Sequence, residues 1–153
     1  MKGVIDVQFE YKHIVVAVDG SEAAEKAFTK AVNIAQRNGA QLILSHVIDN
    51  RTFATAESYD HNLAQRTDKY ANELLKTYKM KAEKAGLTGV LTDIVYGSPK
   101  VKIAKDIAKK HQADLIVCGA TGLNAMERFL IGSVSESITR YASCDVLVVR
   151  SES

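Results

Sequence analysis

Five short apolar runs, rich in β-branched residues, are spaced along the chain: "HIVVAV" (His13–Val18), "QLILSHVI" (Gln41–Ile48), "GVLTDIVY" (Gly89–Tyr96), "DLIVCG" (Asp114–Gly119) and "DVLVVR" (Asp145–Arg150). Several are apolar at consecutive positions, the pattern of strands covered on both faces. Between them the apolar period becomes helical. Ala24, Ala27, Phe28, Ala31, Ile34 and Ala35 mark one helix, and Leu63, Tyr70, Leu74, Leu75, Tyr78, Ala82 and Ala85 a longer one. Ile103, Ile107 and Ala108 mark a third, with Ser98 placed to cap it and Pro99 at its first position; a fourth runs from about Ser133 to Tyr141. Alternating strands and helices predict right-handed crossovers and an α/β, Rossmann-like fold. The expected architecture is a single-domain, open, doubly wound parallel sheet of five strands in the order 3-2-1-4-5, with helices on both faces.

No internal repeat or interdomain linker interrupts this pattern, so residues 12–151 are expected to form one domain. Residues 1–11 read as a leader, in which Val4, Ile5, Val7 and Phe9 suit a short pairing arm and disorder equally well. The stretch from Asp49 to Asp60 is rich in turn formers and joins the second strand to its helix, where long loops often cover a ligand.

Composition narrows the function classes. A chain of 153 residues with 46% hydrophobic residues can bury an adequate core unaided. The net charge of +2 is too small to imply a nucleic-acid or membrane partner. Lysines cluster at Lys76–Lys84 and Lys100–Lys110, but both stretches keep an apolar helical period and read as solvated faces of packed helices. The start of the chain lacks the pattern of a signal peptide, and no apolar run reaches the roughly 18 residues of a membrane span, so the cytoplasm is the expected location. The two cysteines, Cys118 and Cys144, are expected to remain unpaired, because they fall at opposite ends of neighbouring parallel strands.

Three of the nine glycines lie in "GATGLNAMERFLIGSVS", at 119, 122 and 132, with Ser133 following the last. The spacing matches neither a Walker loop nor G-x-G-x-x-G. The segment "GATG" does fit the G-x-x-G clamp of an RNA-binding KH module, but here it follows a strand instead of joining two helices. Gly119 closes the fourth strand at the carboxyl edge of the sheet, where doubly wound folds bind ligands. Gly132 opens a helix whose first amides, at Ser133, Val134 and Ser135, offer unsatisfied N–H groups to a phosphate, with both serine hydroxyls as further donors. A glycine at 132 would admit a phosphate to the backbone, and Gly119 and Gly122 would permit an unusual turn opposite. Asp19, in "AVDGSE", ends the first strand beside the same crevice. It suits ribose hydroxyls or a Mg²⁺ ion beside phosphates, or else a plain turn aspartate, with Ser21 capping the next helix. Val47 ends the second strand where its backbone could pair with an adenine edge, or else where it is a plain core valine.

These segments, from "YKHIVVAVDGSEAAEKA" through "LILSHVID", "VYGSP" and "ADLIVCGATG" to "IGSVSESITRYASCDVLVV", resemble the universal stress protein family in its ATP-binding branch. Gly119, Gly122, Gly132 and Ser133 match each fixed position of that family's glycine signature. The resemblance implies that Asp19 lies near the ribose and metal and that Val47 reads adenine through its backbone. It also implies that Ala17 lines the base pocket, that Gly119, Ala120, Thr121 and Gly122 with Ser133, Val134 and Ser135 wrap the phosphates, and that Arg128 stands near them. ATP and Mg²⁺ are the implied cofactors. No histidine pairing, nucleophile elbow or evident general base accompanies these residues, so a nucleotide-dependent stress-response switch is favoured over a slow ATP-hydrolysing or nucleotidyl-transferring enzyme. Another adenine nucleotide as the ligand stays open. The final strand, Asp145–Arg150, has four successive apolar residues and is expected at the sheet edge, where antiparallel pairing with a second copy would give a homodimer; the resemblance implies the same.

Overall fold

The structure of the protein is a computed structural model, which describes residues 10–49, 61–122 and 131–151. The strands are β1 (His13–Ala17), β2 (Gln41–Ile48), β3 (Leu91–Tyr96), β4 (Leu115–Gly119) and β5 (Asp145–Val149). They form one parallel sheet in the order β3-β2-β1-β4-β5, as the alternating pattern predicts. Four of the five strands are a residue or two shorter than their apolar runs. The helices are α1 (Glu22–Asn38), α2 (His61–Lys84), α3 and α4 (Ser133–Tyr141). Helix α3 is continuous but mixed: an opening turn Pro99–Val101, a π-helical stretch Lys102–Ile107 and a closing turn Ala108–Lys110.

Strand alternation sends the two halves of each run to different helices. Ile14, Val16, Leu42, Leu44, Leu115 and Val117 pack against α1 and α2, where Ala27, Phe28, Ala31, Leu75 and Tyr78 meet them. Val15, Ile43, Ile116 and Cys118 face the other way, onto Ile103 and Ile107 of α3 and Ile138 of α4. The winding therefore changes face between β1 and β4, and that change positions the site.

Local signals fix the helix ends. Ser21 caps α1, its Oγ accepting from the Ala24 amide at 3.1 Å, and Gly39 ends it in the left-handed region with its N–H on the Ala35 carbonyl. Ser98 departs from expectation. It is the N-cap of α3, yet its side chain makes no capping bond; its carbonyl instead accepts from Val101 and Lys102 at 3.0 and 2.9 Å. Pro99 stands at the helix start as predicted.

Gly119 is not in the left-handed region, so the expected reason for it, an unusual turn, does not hold. Its role is close approach. A Cβ there would fall 2.7 Å from Ala23 Cβ and 2.8 Å from the Ala23 carbonyl carbon, because the first turn of α1 rests directly on the end of β4. Gly119→Ala is expected to cost about 1–3 kcal/mol through overpacking, read as a lower urea midpoint with an unchanged slope.

Both cysteines are free. Leu115 pairs with Asp145 and Cys118 with Val148, so Cys144 lies beyond the opposite end of the β4–β5 ladder from Cys118. Burial pushes the Cys118 thiol up to about 12, and burial together with Asp145 and Asp114 raises that of Cys144. The neutral thiol is the form the fold favours, so the stability that Cys118 contributes persists below its ordinary value near 9 and is lost as pH rises toward 12. Thiol titration of denatured, unreduced protein should find two groups. In the native protein at pH 8, Cys118 should react at least about a hundredfold more slowly than in the unfolded chain.

Candidate functional site

The carboxyl ends of β1 and β4 enclose a crevice of about 560 Å³, counting its solvent-open mouth. It lies at the switch in winding, where adjacent strands send their chains to opposite faces. The structure brings Ala17, Asp19, Val47, Gly119, Thr121, Val134 and Ser135 together along its walls. Ala120, Gly122, Gly132 and Ser133 stand behind or beside the walls, and Arg128 and residues 50–60 lie outside the described residues.

Asp19 follows β1 by two residues. Its Oδ1 accepts from the Ser21 amide at 2.9 Å, which bends the chain through Gly20 at φ +84° into the α1 cap. Its Oδ2 lies beside Gly122, where a Cβ would approach to 3.2 Å. Gly122 is thus present so that the carboxylate can approach the glycine segment, and like Gly119 it lacks a positive φ. Among the described residues Oδ2 has no protein donor, which leaves an acceptor facing the crevice.

The opposite wall is the start of α4. Glu136 N bonds to Gly132 O as the first helical bond, so the amides of Ser133, Val134 and Ser135 have no intrahelical acceptor. One expectation changes here. The Ser135 hydroxyl does not point outward as a spare donor; it is buried, and its single O–H is shared between the carbonyls of Ala120 and Gly132, which lie 2.9 and 3.0 Å from Oγ. Gly132 also sits tight against its own neighbours: a Cβ would fall 3.2 Å from Ala120 O, and its N–H donates to that same oxygen at 2.7 Å. Ser133 is exposed and free of these contacts.

Val47 is placed by strand geometry. Ser45 O accepts from Val18 N at 2.9 Å and Ile48 O accepts from Gly97 N at 2.9 Å, so odd-numbered residues of β2 turn their backbone groups toward β1 and even-numbered ones toward β3. The β1–β2 register ends at Ala17 and Ser45. Val47 therefore turns its N–H and C=O into the space beyond the end of β1, which is the crevice.

The floor was not legible in the sequence as a site. Pro99 and Ile103 from α3, Cys118 from β4 and Ile138 from α4 make an apolar slot, joined by Ser45, whose hydroxyl is tied to Val16 O at 2.9 Å. Strand parity with Ala17 points to Ser45, and helical spacing from Val134 points to Ile138; the α3 residues carry no such signal. His46 also borders the crevice, with Nδ1 2.7 Å from Val18 O. No Lys or Arg is among the described lining residues. An anion in this crevice would meet the α4 amides and dipole, each such helix-end interaction contributing about 0.3–1 kcal/mol when exposed and more when partly buried. With its thiol held near 12, Cys118 stays protonated at neutral pH and offers packing in place of a nucleophile. Among the described residues no helix is long and apolar enough to cross a membrane.

Residues 10–150 match the model of the universal stress protein family. A Staphylococcus haemolyticus relative, named "Putative universal stress protein SH1215", is 51% identical over 142 residues, covering 93% of this chain and 86% of its own length. The solved universal stress protein UspA from Lactobacillus plantarum is 38% identical with a TM-score of 0.80, over 93% of this chain and 99% of that one. A universal stress protein solved in complex with cAMP is 27% identical with a TM-score of 0.68, over 93% and 98% of the two chains. With the family model matched over residues 10–150 and a relative 51% identical over 93% of this chain, the chain belongs to the universal stress protein family.

Proposed function

We propose that the protein binds ATP in the β1–β4 crevice, with Mg²⁺, and acts as a cytoplasmic nucleotide-dependent switch in the stress response. The observation that carries this reading is the pairing of two unsatisfied backbone sets across one apolar slot. Val47 N–H and C=O face the slot at one end and the first amides of α4 border it at the other. A flat base with a polar edge and an anionic tail fits such a pair. Asp19 Oδ2 lies between the walls, where a carboxylate suits ribose hydroxyls or a Mg²⁺ ion completed by phosphates and water. Bound there, the metal would neutralise phosphate charge that no described lysine or arginine meets. A family neighbour in complex with cAMP supports an adenine nucleotide as the ligand class, and it keeps a cyclic or shorter nucleotide as the second reading.

Ser133→Pro tests the phosphate end. Proline at the first helical position removes the Ser133 N–H and hydroxyl while its φ suits the helix, and Gly132 before it is already extended at ψ 160°. ATP affinity should fall roughly tenfold or more with the melting temperature unchanged. Calorimetry showing wild-type affinity would remove α4 from the site. Gly132 is a poorer probe, because its Cβ would disturb Ala120 whether or not a ligand binds. Asp19→Asn keeps an oxygen for the Ser21 amide but loses the charge, so the Mg²⁺ dependence of ATP affinity should disappear. Turnover of ATP by the wild type should lie well below the ~10 s⁻¹ typical of dedicated enzymes.

We further propose a homodimer through β5. This strand is a sheet edge, and Val146 to Val149 carry neither charge nor proline. Because Ala120 N donates to Val149 O, the odd-numbered residues of β5 face β4 and Val146 and Val148 turn their backbone groups outward. Val148→Pro therefore deletes an outward donor without touching the β4–β5 ladder. Sedimentation at micromolar concentration should give twice the mass of one chain for the wild type and mainly single chains for this variant; a wild type that stays monomeric contradicts the dimer.

A further inference from the structure

The β1–β2 ladder ends one bond earlier than the two chains would allow. In a parallel pair the residue after Ser45 and Val18 in this rhythm is Val47, whose N–H would donate to Val18 O. No such bond is made among the described residues, although Val18 N and Ser45 O are joined at 2.9 Å just before it. The Val18 carbonyl, which has room for two donors, meets a side chain and not the Val47 amide. His46 Nδ1 sits 2.7 Å from it, and because a carbonyl only accepts, Nδ1 carries the proton. The imidazole comes from the residue next to Val47 but on the other face of β2, the face covered by α2. There Tyr70 packs against it edge to face, with ring centroids 6.4 Å apart, and the Tyr70 hydroxyl lies over Gly20 so closely that a Cβ would come within 2.6 Å of it.

From this arrangement we propose that His46 is a positioning residue for base recognition: by drawing the Val18 carbonyl onto Nδ1 and out of line with the Val47 N–H, it keeps that N–H free to donate to the edge of a nucleobase. The inference rests on the nucleotide reading above and adds to it the residue that makes the base end selective. His46 need not touch the ligand. Its ring holds open a backbone donor that the sheet would otherwise consume, and Tyr70 holds the ring. The same bond fixes the carbonyl immediately before Asp19, so the strand end that carries the carboxylate is anchored as well.

The proposal separates the two ends of the ligand, and the test uses that separation. Calorimetry on the full chain compares ATP with inorganic tripolyphosphate, which has the anionic tail and no base, for the wild type, His46→Ala and His46→Asn. Asparagine places its amide N–H near the position of Nδ1 and can still donate to Val18 O. His46→Ala is expected to lose roughly tenfold in ATP affinity while tripolyphosphate binding changes by less than about twofold, and His46→Asn should recover most of the loss. Melting curves on the same samples establish that all three are folded. Equal losses for both ligands, no loss for ATP, or failure of asparagine to restore it would each overturn the role given to His46. A wild type that binds tripolyphosphate but not ATP more tightly overturns it too, whereas a wild type that binds neither refutes the nucleotide reading and this inference with it.

Discussion

The carbonyl oxygen of Ala120 accepts from the Gly132 amide at 2.7 Å and from the Ser135 hydroxyl at 2.9 Å, and the crevice depends on that double anchor. It fastens the first turn of α4 to the end of β4, so that its amides without helical partners stand at the slot, with Val134 and Ser135 lining it and Ser133 at its exposed rim. Two charge-free bonds of this kind contribute only about 1 kcal/mol each net, but leaving either buried donor or acceptor unmade would cost about 1–3 kcal/mol. The anchor also explains the glycine. At 132 a side chain would press on Ala120 O, so this glycine also serves the protein's own packing.

The three motif glycines share this logic. Gly119 admits the first turn of α1, Gly122 admits the Asp19 carboxylate and Gly132 admits the Ala120 carbonyl. None has a positive φ. Each removes a Cβ at a point where two segments of the crevice wall must approach within ordinary backbone distance. The motif builds a narrow crevice by bringing α1, β4 and α4 together, and its lining is made of backbone amides and small side chains with a cushion of apolar residues from α3.

Much of this was legible in the chain. Consecutive apolar positions in "HIVVAV" and "DLIVCG" identified doubly covered strands, and period changes located the four helices seen among the described residues, because burial imposes those patterns directly. Asp19, Val47 and the α4 amides were legible because strand ends and helix starts have fixed chemistry. The slot floor was not: Pro99 and Ile103 reach it only through the crossover that lays α3 under β1 and β2, a tertiary fact with no local signal. The unusual turn expected of Gly119 and Gly122 and the outward Ser135 hydroxyl did not hold, since a sequence shows that a residue is small or polar but not which neighbour makes it so. His46 belongs to the same class, as its partner Val18 is 28 residues away.

The account stands on a nucleotide spanning Val47 and the α4 amides. Titrating ATP with Mg²⁺ into isotope-labelled protein and following backbone amide shifts tests that most directly. Val47, Thr121, Ser133, Val134 and Ser135 are expected to shift together and saturate with a single affinity, while the amides of β3 and the far end of α1 remain in place. Saturable binding that leaves Val47 and residues 133–135 unmoved, or the absence of any saturable shift, would contradict it.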